Sequence, residues 1–150
     1  MPNLARNKKG LFNYEILEKK EAGLVLTGAE VKSVKKGQIN LKGSYITIKG
    51  GEVFLIGAHI SPYKPAYGKQ KDYTPTQDRK LLLHKKEIDR LQGKMTSEGL
   101  TIIPISVYTK SNLIKVEIGL AKGKKKYEKR ETIKNRDIDR RIRDHLKTHR

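Results

Sequence analysis

The sequence predicts a mainly β fold: a small antiparallel β-barrel with two or three flanking helices and a basic C-terminal tail. Three observations carry this expectation. Five or six short runs alternate apolar and polar residues, the period of a half-buried strand, and glycine-containing turns separate several of them. Two stretches between the runs have helical spacing and helix start or stop signals. The last 29 residues, Lys122 to Arg150, hold 13 Lys/Arg against 5 Asp/Glu, a net of +8. Such a segment gains little by folding on itself and much by lying along a polyanion.

Taken in order, residues 1–10 read as a basic, mobile arm. Tyr14–Glu18 reads as a first strand with Tyr14 and Ile16 on one face, and residues 21–26 continue extended. Thr27-Gly-Ala-Glu30 has the form of a capping box, and Leu26 before it can staple onto Val31. The helix so started runs to about Lys36, where Gly37 stops it. Val31 and Val34 face the body. Lys32, Lys35 and Lys36, at i, i+3 and i+4, share another face. A solvated face would look the same; the net charge favours a phosphate-facing stripe. Glu30 is assigned to capping.

Residues 43–49 and 52–56 are short strands joined by Gly50-Gly51, the signature of a tight hairpin. Residues 58–63 leave the sheet. Residues 64–78 are too long for a tight connection, and Tyr67 and Tyr73 stand there among lysines, able to stack on bases. From Arg79 a second helix is expected, stopped by Gly93, with His84, Ile88 and Leu91 at i, i+4 and i+7, so that His84 is a packed or capping residue. Thr96–Gly99 reads as a turn. Residues 100–109 and 113–121 form a second hairpin across Lys110-Ser-Asn112, and Pro104 requires an edge or a bulge in its first strand. In the tail, Ile138, Ile142 and Leu146 form one narrow apolar line, and Asp137–Arg141 and Asp139–Arg143 are i, i+4 ion pairs. One stripe buries little, so residues 122–150 are expected to be disordered alone and helical when bound, with residues 1–121 as the body.

At 150 residues the chain is one domain plus a tail, and its formal charge of +18 with pI ≈ 10.0 exceeds what solubility requires. A charge that large makes the folded state repel itself unless a polyanion is bound. The absence of cysteine excludes disulfides and thiolate metal sites and fits a cytoplasmic location. No apolar run approaches the ~18 residues of a membrane span, and the N-terminus lacks the apolar core of a secretory signal. Catalysis finds no support. GxSxG, Walker-type and HExxH patterns are missing, the four histidines are scattered, and Asp137, Asp139 and Asp144 each have an arginine nearby. Gly119 and Gly123 have the wrong spacing for a phosphate loop. No cofactor is expected. Short strands with flanking helices and this charge point to a barrel of the OB type, whose face and loops bind nucleic acid. A general single-strand RNA-binding or ribosomal protein with such a barrel fits the composition.

Several strings then stand in one order: Tyr14-Glu-Ile, Glu21-Ala-Gly, Gly28-Ala-Glu-Val-Lys-Ser33, Gly43-Ser-Tyr45, Arg79-Lys-Leu-Leu-Leu-His-Lys85, Gly119-Leu-Ala-Lys-Gly-Lys-Lys125 and Glu128-Lys-Arg130. From about Asn7 to Arg136 the chain resembles the small protein B (SmpB) family of SsrA (tmRNA)-binding proteins. The resemblance implies an OB-like barrel that binds the tRNA-like domain of tmRNA and brings it to ribosomes stalled on mRNA without a usable stop codon. It implies trans-translation without chemistry by the protein itself, which is a monomer when not bound to RNA. On the matching positions, the resemblance assigns tmRNA contacts to Asn7, Lys8, Glu21, Lys32, Lys35, Arg79 and Lys80, with Lys122 and Lys124 as further candidates. A carboxylate in a basic site opposes phosphate, so Glu21 makes sense as an acceptor for base N–H groups, or else as the partner of a nearby lysine. The tail would enter the empty mRNA channel. Tyr127 would stack on a small-subunit rRNA base in the decoding centre, and Lys129, Arg130, Lys134 and Arg136 would hold rRNA phosphates. Two departures stand out. Gln77 replaces a usual arginine in the loop, and Phe12 and Asn13 stand where the family is often basic or His, so they receive no role.

Overall fold

The computed structural model describes residues 3–64, 72–124 and 126–148, apart from the side chains at 126–128, 132 and 144–148. Its strands are β1 (Asn3–Arg6), β2 (Tyr14–Leu24), β3 (Ile39–Asn40), β4 (Tyr45–Lys49), β5 (Glu52–Ile56), β6 (His59–Ile60), β7 (Arg79–Leu82), β8 (Thr101–Lys110) and β9 (Leu113–Gly123). Its helices are α1 (Lys8–Asn13), α2 (Gly28–Lys35), α3 (Lys85–Glu98) and α4 (Lys126–Thr148). The order β8-β4-β5-β7-β2-β9 returns to β8, so six antiparallel strands close into a ring, with β1 added on β8 and β3–β6 as a separate two-stranded sheet. The seam between β4 and β8 is narrow, a single pairing of Ile46 with Ile102.

Alternation within the strands fills the ring. Ile46, Val53, Leu55, Leu81, Ile102, Val107, Val116 and Ile118 are all buried, and Val34 from α2 and Leu91 from α3 join the same core. Both expected hairpins form. Gly50 and Gly51 (φ +61° and +75°) turn β4 into β5, and Ser111 and Asn112 (φ +51° and +64°) turn β8 into β9. The Pro104 irregularity is a bulge in the β8–β9 register between Pro104 and Ser106. The capping box at Thr27 is complete: Glu30 N–H donates to Thr27 Oγ1 at 3.2 Å, and Thr27 N–H to Glu30 Oε1 at 3.0 Å.

Three segments depart from expectation. The first concerns the arm: Asn3–Arg6 pair with β8, and Asn7 caps α1, so residues 3–10 are built into the body. The second is Arg79–Leu82, a strand whose alternation buries Arg79 and Leu81 and exposes Lys80 and Leu82. Pairing with β5 and β2 overrides the helical spacing seen in the sequence. Third, α3 begins only at Lys85 and runs through Gly93 to Gly99, whose φ of +64° makes the actual stop. A glycine inside a helix costs only about 1 kcal/mol relative to alanine. Gly93 lies on the exposed face, and the burial of Ile88 and Leu91 outweighs that cost. His84 stands exposed at the N-cap position of α3 without a side-chain capping bond, so its side chain neither packs nor caps as the spacing suggests.

Residues 65–71, including Tyr67, lie outside the described residues. Tyr73 is half-buried and committed elsewhere than to a base: its hydroxyl lies 2.9 Å from the Ile60 carbonyl and 3.1 Å from Glu30 Oε2. Glu30 is the centre of this region. Arg79 Nε donates to it at 2.7 Å and Gln77 Nε2 at 3.2 Å, while the other Arg79 nitrogens reach the Ala58 carbonyl (2.7 Å), the Pro75 carbonyl (2.8 Å) and the Tyr73 oxygen (3.0 Å). Glu30 and Arg79 are each 2% exposed. Burial by itself raises the Glu30 pKa, but the Thr27 N–H, Arg79 and Tyr73 outweigh it and the net shift is downward. Burial, then the Glu30 charge, pushes the Tyr73 hydroxyl up to about 12.

On β2, the neighbour of β7 in the ring, α3 is stapled by Glu18 with Arg90 and Lys94 and by Lys20 with Glu87. The Arg90 hydrogen bonds hold Glu18 down at about 2. Among the described residues no helix is long and apolar enough to cross a membrane.

Two outcomes follow for stability. Arg79→Met strands the Glu30 charge in the interior, so urea unfolding is expected to show a loss of about 3–5 kcal/mol, part of which Glu30→Gln restores in the double variant. Glu18 has a folded pKa below its unfolded value near 4.5, so its contribution is present above about pH 4.5 and disappears as pH falls toward about 2. Thermal midpoints measured across that window should fall with acidification, and less steeply in Glu18→Gln.

Candidate nucleic-acid interface

The outward face of β7, β2 and β9 places the Glu21 carboxylate. Strand parity turns Val116 and Ile118 inward, so Lys115 and Glu117 face outward on β9, as Lys80 and Leu82 do on β7. Glu21 pairs in register with Glu117, and Gly23 with Lys115 on one side and Leu82 on the other. A Cβ at Gly23 would come within 3.3 Å of Leu82 Cβ, so the absence of a side chain there keeps Leu82 seated beside Glu21. The result is a recess of about 350 Å³ lined by Glu21, Gly23, Leu82, His84, Glu87 and Lys115. A second recess of about 330 Å³, on the other side of Glu21, is lined by Arg6, Lys19, Ser106, Tyr108 and Glu117 among others. Glu21 is exposed. Its carboxylate accepts a hydrogen bond from the Tyr108 hydroxyl and lies 3.4 Å from Lys110 Nζ. Of these two, Tyr108 has the larger part in holding Glu21 below the usual carboxylate range.

The arrangement suits an unpaired or edge-exposed base. An ionised carboxylate accepts base N–H groups, Leu82 offers an apolar wall, and Lys80, Lys115 and Lys19 supply positive charge for the attached phosphates. Lys80 also lies 3.3 Å from Glu52 in an exposed pair. Leu82 and Lys115 did not emerge as site residues from the sequence. Their signal was strand parity, hidden for Leu82 by the helical reading of residues 79–92.

Two expected contact residues are used internally. Asn7 is 3% exposed; its Oδ1 accepts from Gly10 N–H at 3.0 Å and its Nδ2 donates to the Pro104 carbonyl at 2.8 Å. A Cβ on Gly10 would fall 2.4 Å from Asn7 Nδ2, so the cap and the glycine are fitted to one another. Asn7 thus anchors α1 on the β8 bulge and leaves Lys8 and Lys9 exposed. Arg79, with every nitrogen engaged in the Glu30 network, is likewise a buried joint and has no face for a phosphate.

Lys32 and Lys35 do stand exposed on α2 and Lys36 at its C-cap, and the ammoniums of Lys32 and Lys36 lie 5.5 and 5.0 Å from the Tyr63 ring centroid. Lys122 is exposed at the end of β9, and Lys124 N–H bonds the Asn13 carbonyl at 2.9 Å where the chain passes into α4. Tyr127 falls in the first turn of α4, with its side chain outside the described residues. Arg130 and Lys134 are exposed, Lys129 is half-buried, and the Arg136 guanidinium sits 5.5 Å from the Phe12 ring. Phe12, given no role by the sequence, is therefore a docking point for the tail. Ile133, Ile138 and Ile142 are exposed along α4. Among the described residues no group of His, Asp and Glu gathers to hold a metal ion.

Replacing Lys32, Lys35 and Lys36 by alanine should weaken binding of an unstructured RNA and flatten its salt dependence. The slope of log K against log salt falls by about 0.7 for each phosphate that is no longer neutralised. An unchanged slope in a binding titration across salt concentrations would mean that the stripe is only a solvated face.

Comparison with known proteins points one way. The family model described as "SmpB protein" matches residues 4–148. A protein from Sulfurihydrogenibium sp. named SsrA-binding protein is 55% identical over 139 residues, covering 93% of this chain and 90% of that one. One of the same name from Rubrobacter xylanophilus is 50% identical, covering 98% and 99%. Among solved structures, a chain described under "tmRNA-SmpB: a journey to the center of the bacterial ribosome" matches with TM-score 0.65 and 42% identity, over 81% of this chain and 84% of that one.

Proposed function

The chain belongs to the SmpB protein family, and from that premise we propose that it binds the tRNA-like domain of tmRNA and delivers it to stalled ribosomes for trans-translation. The observation that carries the reading is the near-full-length match to SsrA-binding proteins together with the likeness to the chain from the tmRNA–SmpB structure. The geometry is consistent with it. The Glu21 recess offers a selective, partly apolar contact set within a strongly basic surface.

The six-strand ring corresponds to an OB-like barrel, supported by its return from β9 to β8. The protein acts as a binding module without catalysis, is a monomer off RNA, and works in the cytoplasm. Two surfaces divide the work. The body holds tmRNA through Glu21 with Lys8, Lys32, Lys35, Lys80, Lys115 and Lys122. Residues 122–150 engage the empty mRNA channel and the decoding centre through Tyr127, Lys129, Arg130, Lys134 and Arg136. The tail has little to hold it as a helix when free: every α4 side chain described from Arg130 to Arg143 is exposed, and its apolar line is narrow. On rRNA, neutralised phosphates would stabilise that helix.

Competition binding at about 0.2 M salt tests the partner. Labelled tRNA-like domain should resist displacement by excess ordinary tRNA and by unstructured RNA. Equal displacement by both would replace the reading with that of a general single-strand RNA-binding protein. Removing residues 122–150 should leave most binding to the tRNA-like domain while abolishing tagging on stalled ribosomes, and retained tagging would overturn the tail's role.

A further inference from the structure

We infer that Tyr108 is the positioning residue of the RNA site, holding the Glu21 carboxylate in place before RNA arrives. The inference rests on the reading of the Glu21 recess as the tmRNA contact. It starts from an electrostatic problem. Glu21 and Glu117 stand directly opposite each other on neighbouring strands, an arrangement of like charges that drives the two side chains apart. Glu21 lies on an exposed strand position, so without a tether its carboxylate would swing away into solvent and toward the surrounding lysines.

Tyr108 supplies that tether. It lies on β8, opposite Lys115 across the hairpin, with β9 between it and β2. The residue is only 9% exposed although it stands on the outer face, and its hydroxyl reaches across β9 to Glu21 Oε2. Lys110, two residues on, approaches the other oxygen at 3.4 Å from an exposed position. The buried phenol is the rigid partner of the two and the lysine the mobile one. A tyrosine has few torsions to freeze, so the carboxylate is held at small entropic cost and the RNA need not order it.

The titratable groups that share the two recesses with Glu21 come from every element around it: Lys19 on β2, Lys115 and Glu117 on β9, Tyr108 on β8, Arg6 on β1, and His84 and Glu87 of the α3 region, with Lys110 of β8 against the carboxylate itself. Among the described residues, Tyr108 and Lys110 are the ones that bond it. Consistent with the tether, Glu21 is held low, first by Tyr108, and burial followed by the Glu21 bond holds the Tyr108 hydroxyl high.

The test uses the full chain and the labelled tRNA-like domain, with unstructured RNA as the control probe. Tyr108→Phe is expected to weaken binding of the tRNA-like domain about five- to tenfold, the loss of one hydrogen bond to a charged group, and to leave unstructured RNA unaffected. Acidification should also weaken the variant at higher pH than the wild type, because Glu21 without the Tyr108 bond takes up its proton more easily. Glu21→Gln should lack that acid limb, and adding Tyr108→Phe to it should cost nothing further. Additive losses, or an unshifted acid limb in a Tyr108→Phe protein with wild-type thermal stability, would overturn the positioning role. If Tyr108→Phe fails to fold, Lys110→Met carries the same test: it should raise the acid limb by a smaller amount, and no shift would count against a tethered carboxylate. Failure of the underlying reading looks different, since the wild type itself would then not distinguish the tRNA-like domain from unstructured RNA.

Discussion

The buried ion pair of Glu30 and Arg79 is the constraint on which the arrangement of the surface depends. Two charges at 2% exposure are tolerable only because each is also fully hydrogen-bonded. Glu30 caps α2 through Thr27 and receives Arg79, Tyr73 and Gln77, while Arg79 ties down Ala58 and Pro75. One pair therefore joins the start of a helix, the end of the 72–78 segment and the first residue of β7. The lysine stripe of α2 and the outward Lys80 and Leu82 of β7 take their positions from it. A neutral pair of similar volume could fill the same space, but it would lack the directional bonds that converge here.

Charge is used in two different ways in this chain. Most lysines face outward and build a long-range field that attracts any polyanion. The acidic residues of the body act locally: Glu18 and Glu87 staple α3 to β2, and Glu30 holds the α2 cap. Glu21 belongs to neither group. It is exposed, tethered rather than buried, and set between two recesses, where a carboxylate lowers general attraction to phosphate and can reward a donor-bearing base.

The tail shows the limit of local reading in another way. The i, i+4, i+8 line of Ile138, Ile142 and Leu146 is narrow enough that the sequence leads one to expect a helix only on a bound polyanion, whereas Lys126–Thr148 is helical here without one. Its docking through Arg136 onto Phe12 was not legible, because the two residues are distant in sequence and Phe12 has no distinguishing pattern of its own.

What the sequence by itself determined was whatever depends on neighbours along the chain. The capping box at Thr27, both hairpin turns, the Pro104 bulge, the alternation that fills the ring and the basic tail all follow from spacing and side-chain type, as does the family resemblance. The tertiary structure decided the state of Arg79–Leu82, where pairing with β5 and β2 outweighs helical spacing, and the extent of α3, where packing of Ile88 and Leu91 carries the helix past Gly93. It also decided which polar residues remain outside. Asn7 and Arg79 have the chemistry of RNA contacts, but the bulge carbonyl of Pro104 and the carboxylate of Glu30 draw them into the interior. Leu82 and Lys115, undistinguished in the chain, reach the Glu21 recess because three strands meet there. Burial is a sum over partners remote in sequence, so no local pattern could have assigned it.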